Sequence, residues 1–127
     1  MRELNLSNNL IEDISSLRDL KRLEYLRLGD NPLKSITHLK ELKNLRELGL
    51  WGTQISDISP LKYLTSLSYL NLTINKIEDI SPLRNLKLRK LMLQSNPIEF
   101  LESWVTEFEL EIEWAQLTNT DFQGITF

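Results

Sequence analysis

Residues 45–66 read Leu45-Arg-Glu-Leu-Gly-Leu-Trp-Gly-Thr-Gln-Ile55-Ser-Asp-Ile-Ser-Pro-Leu61-Lys-Tyr-Leu64-Thr-Ser66. Two periods coexist in this stretch. Leu48 and Leu50 are separated by one residue, the spacing of a strand with one buried face. Ile58, Leu61 and Leu64 follow at intervals of three, which suits a helical or 3-10 turn. Neither piece can bury its apolar side alone. Stacked copies of the unit can, with strands about 4.8 Å apart in one parallel sheet.

The copies are present on both sides. Leu4, Leu26, Leu48 and Leu70 recur every 22 residues, and Leu91 follows after 21. Leu6, Leu28, Leu50, Leu72 and Leu93 keep the same step, as do Ile14, Ile36, Ile58, Ile80 and Leu101. Leu17, Leu39, Leu61 and Leu83 continue the register, with Trp104 in that place last. The repeats fall at about 1–22, 23–44, 45–66, 67–87 and 88 onward, giving a predicted repeat domain over 1–98.

This pattern resembles the leucine-rich-repeat family, in its 22-residue class, to which bacterial internalins and a phosphatase regulatory subunit belong. The resemblance covers about residues 1–114. It implies an α/β repeat solenoid: a right-handed superhelix with a parallel, strand-lined concave sheet and short 3-10 or helical turns on the convex side. It also implies a structural role for Asn9, Asn31, Thr53, Asn75 and Asn96, which share one repeat position. They are expected to form a buried ladder whose amides satisfy backbone groups where the chain leaves the strand. Thr53 offers only a hydroxyl, so the ladder should be weakest there.

Asp13, Asp57 and Asp79 form a second polar column, each followed by Ile-Ser. Ser59-Pro60 and Ser81-Pro82 read as an N-cap followed by proline at the first turn position. Capping is therefore expected rather than metal binding, since Ca²⁺ needs about six or more oxygens. His38, the only histidine, stands where Pro60 and Pro82 fall in later repeats, on a turn with no nucleophile beside it in the pattern. The sequence has no P-loop, glycine-rich phosphate cradle or zinc motif. Paired carboxylates working as acid and base would need a pocket, and the pattern supplies an open face. No enzyme, metal site or cofactor is expected.

Composition agrees with a globular chain: 41% hydrophobic and 26% charged over 127 residues. Without cysteine, disulfides, thiolate metal sites and cysteine nucleophiles are excluded. No apolar run approaches the roughly 18 residues of a membrane span. The opening Met1-Arg2-Glu3-Leu4-Asn5-Leu6 has no apolar core of a secretory signal, so a cytoplasmic location is expected. Net charge is −3, but all 15 basic residues precede residue 99, alongside 11 acids. Six glutamates and no base lie between Glu99 and Glu113. A weakly basic body with an acidic end lacks the basic stripe of a nucleic-acid binder, so neither nucleic acid nor membrane is expected as a partner.

After Asn96-Pro97 the pattern changes. Leu101, Trp104, Val105 and Phe108 make the apolar stripe of a short helix. Leu110, Ile112 and Trp114 alternate with Glu109, Glu111 and Glu113, as in a strand. Residues 99–127 are thus predicted to form a capping helix and strand. No comparable cap precedes the first repeat, so self-association through the first strand is a further expectation. The stretch after the repeats also faintly resembles bacterial multidomain proteins in which such repeats precede a GTPase module. No GTPase motif is present, and nothing of that activity transfers.

The register names the outward side chains. Glu3, Tyr25, Glu47, Tyr69 and Lys90 precede the first core leucine, and Asn5, Arg27, Gly49, Asn71 and Met92 lie between the two. Ser7, Gly29, Trp51, Thr73 and Gln94 follow, then Asn8, Asp30, Gly52, Ile74 and Ser95. Apolar residues at these positions do not build the core. Tyr25, Arg27, Trp51, Tyr69, Asn71, Ile74 and Met92 are the predicted partner-binding set, because aromatics, Met and Arg are enriched in interfaces. Trp51 is expected at the centre, outward and unshielded beside Gly49 and Gly52; the alternative is that it folds down over Gly29 or Gly52 and shields the backbone. The function read from the sequence is a non-catalytic module that binds a protein partner on its concave strand face. The alternatives are a repeat segment of a larger multidomain receptor or regulatory protein, with a structural or regulatory role and with or without an attached enzyme module, and a self-associating repeat block.

Overall fold

The computed structural model describes residues 1–98. Five three-residue strands, β1 (Glu3–Asn5), β2 (Tyr25–Arg27), β3 (Glu47–Gly49), β4 (Tyr69–Asn71) and β5 (Lys90–Met92), form one parallel sheet in chain order. The register places Leu4, Leu26, Leu48, Leu70 and Leu91 side by side. The repeat spacing and the sheet register are therefore the same fact, as a solenoid requires. Short 3-10 turns, Ser15–Asp19, Thr37–Glu41, Ser59–Tyr63 and Ser81–Leu83, run along the opposite side.

Between the two layers lies a continuous apolar core. Leu28, Leu39, Leu42, Leu50, Leu61, Leu64 and Leu72 are completely buried. Each such leucine contributes about 1.5–3 kcal/mol relative to an exposed side chain. The second core leucine of each of the first four coils also links coils through its backbone. Leu6, Leu28, Leu50 and Leu72 donate their N–H groups to Arg27, Gly49, Asn71 and Met92 carbonyls, all at 2.8 Å. These bonds extend the ladder past the ends of the three-residue strands.

The asparagine column forms a ladder for three of its five positions. Asn75 Nδ2 donates to Leu50 O at 2.9 Å in the preceding coil and to Leu72 O at 3.0 Å in its own. Its Oδ1 accepts from the N–H groups of Thr53 and Ile55. Asn31 and Asn96 repeat the arrangement, reaching back to Leu6 O (3.0 Å) and Leu72 O (2.7 Å). Thr53 donates its hydroxyl to Leu50 O at 2.8 Å, within its own coil, and makes no bond to the preceding one. In compensation, Leu33 N–H, whose equivalents Ile11, Ile55 and Ile77 all bond an asparagine Oδ1, turns instead to Asn31 O at 2.9 Å. Asn9 departs from the expectation of burial: it is exposed and bonds only Leu6 O and Ser7 O of its own coil.

Of the aspartate and serine expected to cap each turn together, only the aspartate does so. Ser15, Ser59 and Ser81 are not N-caps; each is the first residue of a 3-10 turn. The aspartate two residues earlier does the capping, its Oδ1 accepting the serine N–H at 2.8, 2.9 and 2.8 Å for Asp13, Asp57 and Asp79. In the second repeat Ser35 Oγ replaces the carboxylate and accepts Thr37 N–H at 3.1 Å. Pro60 and Pro82 occupy the opening positions of their turns, where a missing N–H costs nothing. His38 lies on the turn Thr37–Glu41, as expected. The predicted C-terminal cap over 99–127, with Leu101 and Trp104, lies outside the described residues.

Candidate interaction face

The strand-lined face carries a hollow of about 190 Å³ centred on β3. Gly49 lies at its base, beside the edge of the Trp51 ring. Tyr25, Arg27, Glu47, Trp51, Tyr69, Asn71, Lys90 and Met92 surround it. Six of the seven predicted binding residues are therefore brought together: Tyr25, Arg27, Trp51, Tyr69, Asn71 and Met92.

Ile74 is not among them. The sequence reading placed it on the strand face, as it did Asn8, Asp30, Gly52 and Ser95. These five are turn residues in the left-handed region, with φ of 58°, 61°, 57°, 62° and 61° respectively. Each turns the chain off its strand. Ile74 is 61% exposed there, clear of the hollow.

Trp51 is on the face but is not unshielded. It is half-buried, and its indole covers Gly29 of the preceding coil and Gly49 of its own. A Cβ at either glycine would collide with the ring. Indole Nε1 donates to Asp30 Oδ2 at 3.3 Å. Gly52 does not flank the ring as expected; its missing side chain makes room for the Asp30 carboxylate. The indole is thus held flat across two coils with one surface presented to the hollow.

Other rim groups are partly committed. Arg27 faces Glu3 at 3.8 Å, an exposed pair worth at most about 1 kcal/mol. Asn71 Oδ1 accepts the N–H and hydroxyl of Thr73 at 3.1 and 2.9 Å, which leaves its NH₂ group for a partner. Tyr69 is 40% exposed, and Met92 and Tyr25 are half-buried. Glu47 and Lys90 were missed as rim residues. They share the register position of Tyr25 and Tyr69, so position alone would have found them; selecting for apolar character did not.

The arrangement offers a shallow aromatic-walled recess with both signs of charge at its margin. Among the described residues, no cluster of His, Cys, Asp or Glu is placed to hold a metal ion, and no helix is long and apolar enough to cross a membrane.

Comparison with known proteins agrees with this architecture. The family profile described as leucine rich repeats, two copies, matches residues 1–41 and again 43–85. Among solved structures, internalin C2 of Listeria monocytogenes is 32% identical with a TM-score of 0.76, over 88% of this chain and 51% of its own. A second internalin of Listeria monocytogenes (inlF) is 25% identical with a TM-score of 0.72, over 95% of this chain and 46% of its own. A leucine-rich-repeat protein of Leptospira interrogans shares the fold at 24% identity and a TM-score of 0.68, over 87% of this chain and 36% of its own. The chain thus spans about half the length of the two internalins. A search of curated proteins gives no match. With its two-copy profile match, five-coil parallel sheet and asparagine column, the chain belongs to the leucine-rich-repeat family.

Proposed function

We propose that this protein is a non-catalytic binding module that engages a protein partner through the hollow over Gly49. The observation that carries the reading is the hollow itself. A recess of about 190 Å³ walled by Tyr25, Trp51, Tyr69 and Met92 matches one inserted side chain of a partner. Aromatic residues around a desolvated pocket are the usual hot spots of protein interfaces. Arg27, Glu47 and Lys90 supply polar groups at the margin, where they orient a partner rather than drive its binding.

The test is affinity capture with wild type, Tyr69→Glu and Ser56→Glu, each first shown to be folded by circular dichroism. Ser56 is exposed on the segment that follows β3 and does not line the hollow. A protein retained by wild type and Ser56→Glu but lost with Tyr69→Glu supports the reading. Equal loss or equal retention by the two variants overturns it.

A second reading, self-association, has its own observation. At the first coil Met1 and Leu10 are 68% and 88% exposed, and Leu4, Leu6 and Ile11 are only partly buried. Association through that end would appear as concentration-dependent mass in sedimentation velocity, and Leu10→Glu would suppress it.

A further inference from the structure

Among the described residues the charges of the connecting segments are sorted by edge. On one edge the chain comes off each 3-10 turn and returns to the sheet, through residues 1–2, 18–24, 40–46, 62–68 and 84–89. These segments hold eleven lysines and arginines and three carboxylates, Asp19, Glu24 and Glu41. All eleven basic side chains are exposed. On the opposite edge the chain leaves the strands, through 6–14, 28–36, 50–58, 72–80 and 93–98. Those segments hold six carboxylates and two lysines. The sequence reading saw only a weakly basic body, because a 22-residue repeat scatters along the chain what the solenoid stacks in space.

The basic edge has internal order. Arg18, Lys40, Lys62 and Arg84 occupy equivalent positions on or just after the four successive 3-10 turns, so they form a row along the solenoid axis. Beside the row, Lys43 and Lys62 lie 5.1 and 5.2 Å from the Tyr63 ring centre. Further toward the sheet, Arg2, Arg22 and Arg46 line a depression with Glu24, Asn44 and Ser66. Glu24 is engaged by Arg2 and Arg46, and Lys21 by Glu41. Among the described residues no carboxylate lies within ion-pair distance of Arg18, Lys40, Lys62 or Arg22.

We infer that this edge is a second docking surface, and that its occupant is an α-helix of a protein partner carrying acidic residues once per turn. Charge complementarity supplies the sign. The spacing supplies the form. Neighbouring strands are about 4.8 Å apart, which sets the scale of one coil step, and an α-helix rises about 5.4 Å per turn. The two steps are similar, and flexible lysine and arginine stems absorb the difference along the row. Duplex DNA presents a charge about every 1.7 Å of axis on a curved surface, and a bilayer presents no fixed period at all. Neither matches a row of point charges one coil apart. This surface is distinct from the hollow over Gly49, so the module can hold two partners, or two parts of one partner.

The probe is a synthetic alanine-rich helix with glutamate once per turn along one face, labelled for fluorescence anisotropy. A control peptide has the same composition with the glutamates distributed around the helix. Binding of the first should be at least about fivefold tighter than of the second at low salt, and should weaken as salt screens it. Lys40→Glu with Lys62→Glu should weaken it at least about tenfold, since reversal replaces attraction with repulsion. Tyr69→Glu should leave it unchanged, which separates this proposal from the one for the hollow. Circular dichroism confirms that each variant is folded. Equal affinity for the two peptides overturns the proposal, as does tighter binding of anionic phosphatidylserine vesicles or duplex DNA than of the acidic helix. Insensitivity to the paired charge reversal overturns it as well.

Discussion

The indole of Trp51 occupies the volume that a side chain at Gly29 would need, one coil earlier in the solenoid. The same junction, between the second and third coils, is where Thr53 fails to reach back to the preceding coil as Asn31, Asn75 and Asn96 do. One inter-coil tie is missing on the inside of the turn, and another, Trp51 over Gly29 with Nε1 bonded to Asp30, is present on the outside. Gly29→Ala should therefore displace the ring at a cost of about 1–3 kcal/mol, the usual penalty for overpacking. The check is a lowered melting temperature together with a shifted indole N–H resonance for Trp51. An unchanged resonance would show that the ring does not rest on Gly29.

Removing the ring has a related consequence. An outward, unshielded Trp51 implies that Trp51→Ala weakens partner binding and barely changes stability. The structure adds a stability cost, because the half-buried ring covers two glycines and bonds Asp30. That cost should be about 1–2 kcal/mol, below the roughly 3–5 kcal/mol of a fully buried aromatic. Binding must then be compared at a temperature where both proteins are fully folded. A stability change near zero by urea denaturation would return Trp51 to the role of an unshielded surface residue.

The ladder can be tested in both directions. Asn75→Ala leaves the N–H groups of Thr53 and Ile55 without their side-chain acceptor, while Leu50 O keeps the Thr53 hydroxyl and Leu72 O keeps Asn96 Nδ2. Each buried orphan costs about 1–3 kcal/mol, so a marked drop in melting temperature is expected. Thr53→Asn should do the opposite, adding an amide able to reach Leu28 O and gaining about 1 kcal/mol. A stability loss on Thr53→Asn would mean that the Leu33-to-Asn31 turn has fixed this junction in a shape an asparagine cannot enter.

These effects divide along what a sequence can reveal. The coil period, the core leucines and the ladder were legible because each is a residue type repeated at one spacing. Leu50 and Leu72 had to be inward for the same reason as Leu28. For Trp51 the sequence offers two arrangements, outward and unshielded or folded down over Gly29 or Gly52; only the superposed coils decide between them, since the choice depends on Gly29, a residue 22 positions away that matters by having no side chain. The left-handed turn at Ile74 was hidden because isoleucine is a poor guide to such backbone. Its equivalents Asn8, Asp30, Gly52 and Ser95 carry the signal better. The basic edge required the stacking itself, since Arg18, Lys40, Lys62 and Arg84 are neighbours only once the coils are superposed.

Acid should weaken the turns. The backbone N–H of Ser15, and next its hydroxyl, hold the Asp13 carboxyl below its ordinary value, and Ser59 does the same for Asp57. A folded pKa depressed below the unfolded one gives stability that is present above the unfolded value, near pH 4, and lost as pH falls through the depressed value. The double variant Asp13→Asn, Asp57→Asn keeps the acceptor oxygens and removes the titration. Its melting temperature should fall less than that of wild type between about pH 5 and pH 2.5. Parallel curves for the two proteins would show that these caps do not contribute to acid sensitivity.

Ile74 carries the last expectation. It is β-branched, holds φ at 58°, and is 61% exposed. The left-handed conformation costs an L-residue roughly 1–2 kcal/mol, and asparagine tolerates it best among non-glycine residues. An exposed isoleucine recovers nothing from the core in exchange. Ile74→Asn should therefore raise stability by about 1 kcal/mol, by removing strain that the native residue imposes. If Ile74 serves a partner bound over β4 and its turn, the same substitution should weaken that binding while it stabilises the fold. Paired denaturation and binding measurements on one variant separate the two effects. Higher stability with unchanged affinity would remove Ile74 from the interaction face and leave the hollow over Gly49 as its whole extent.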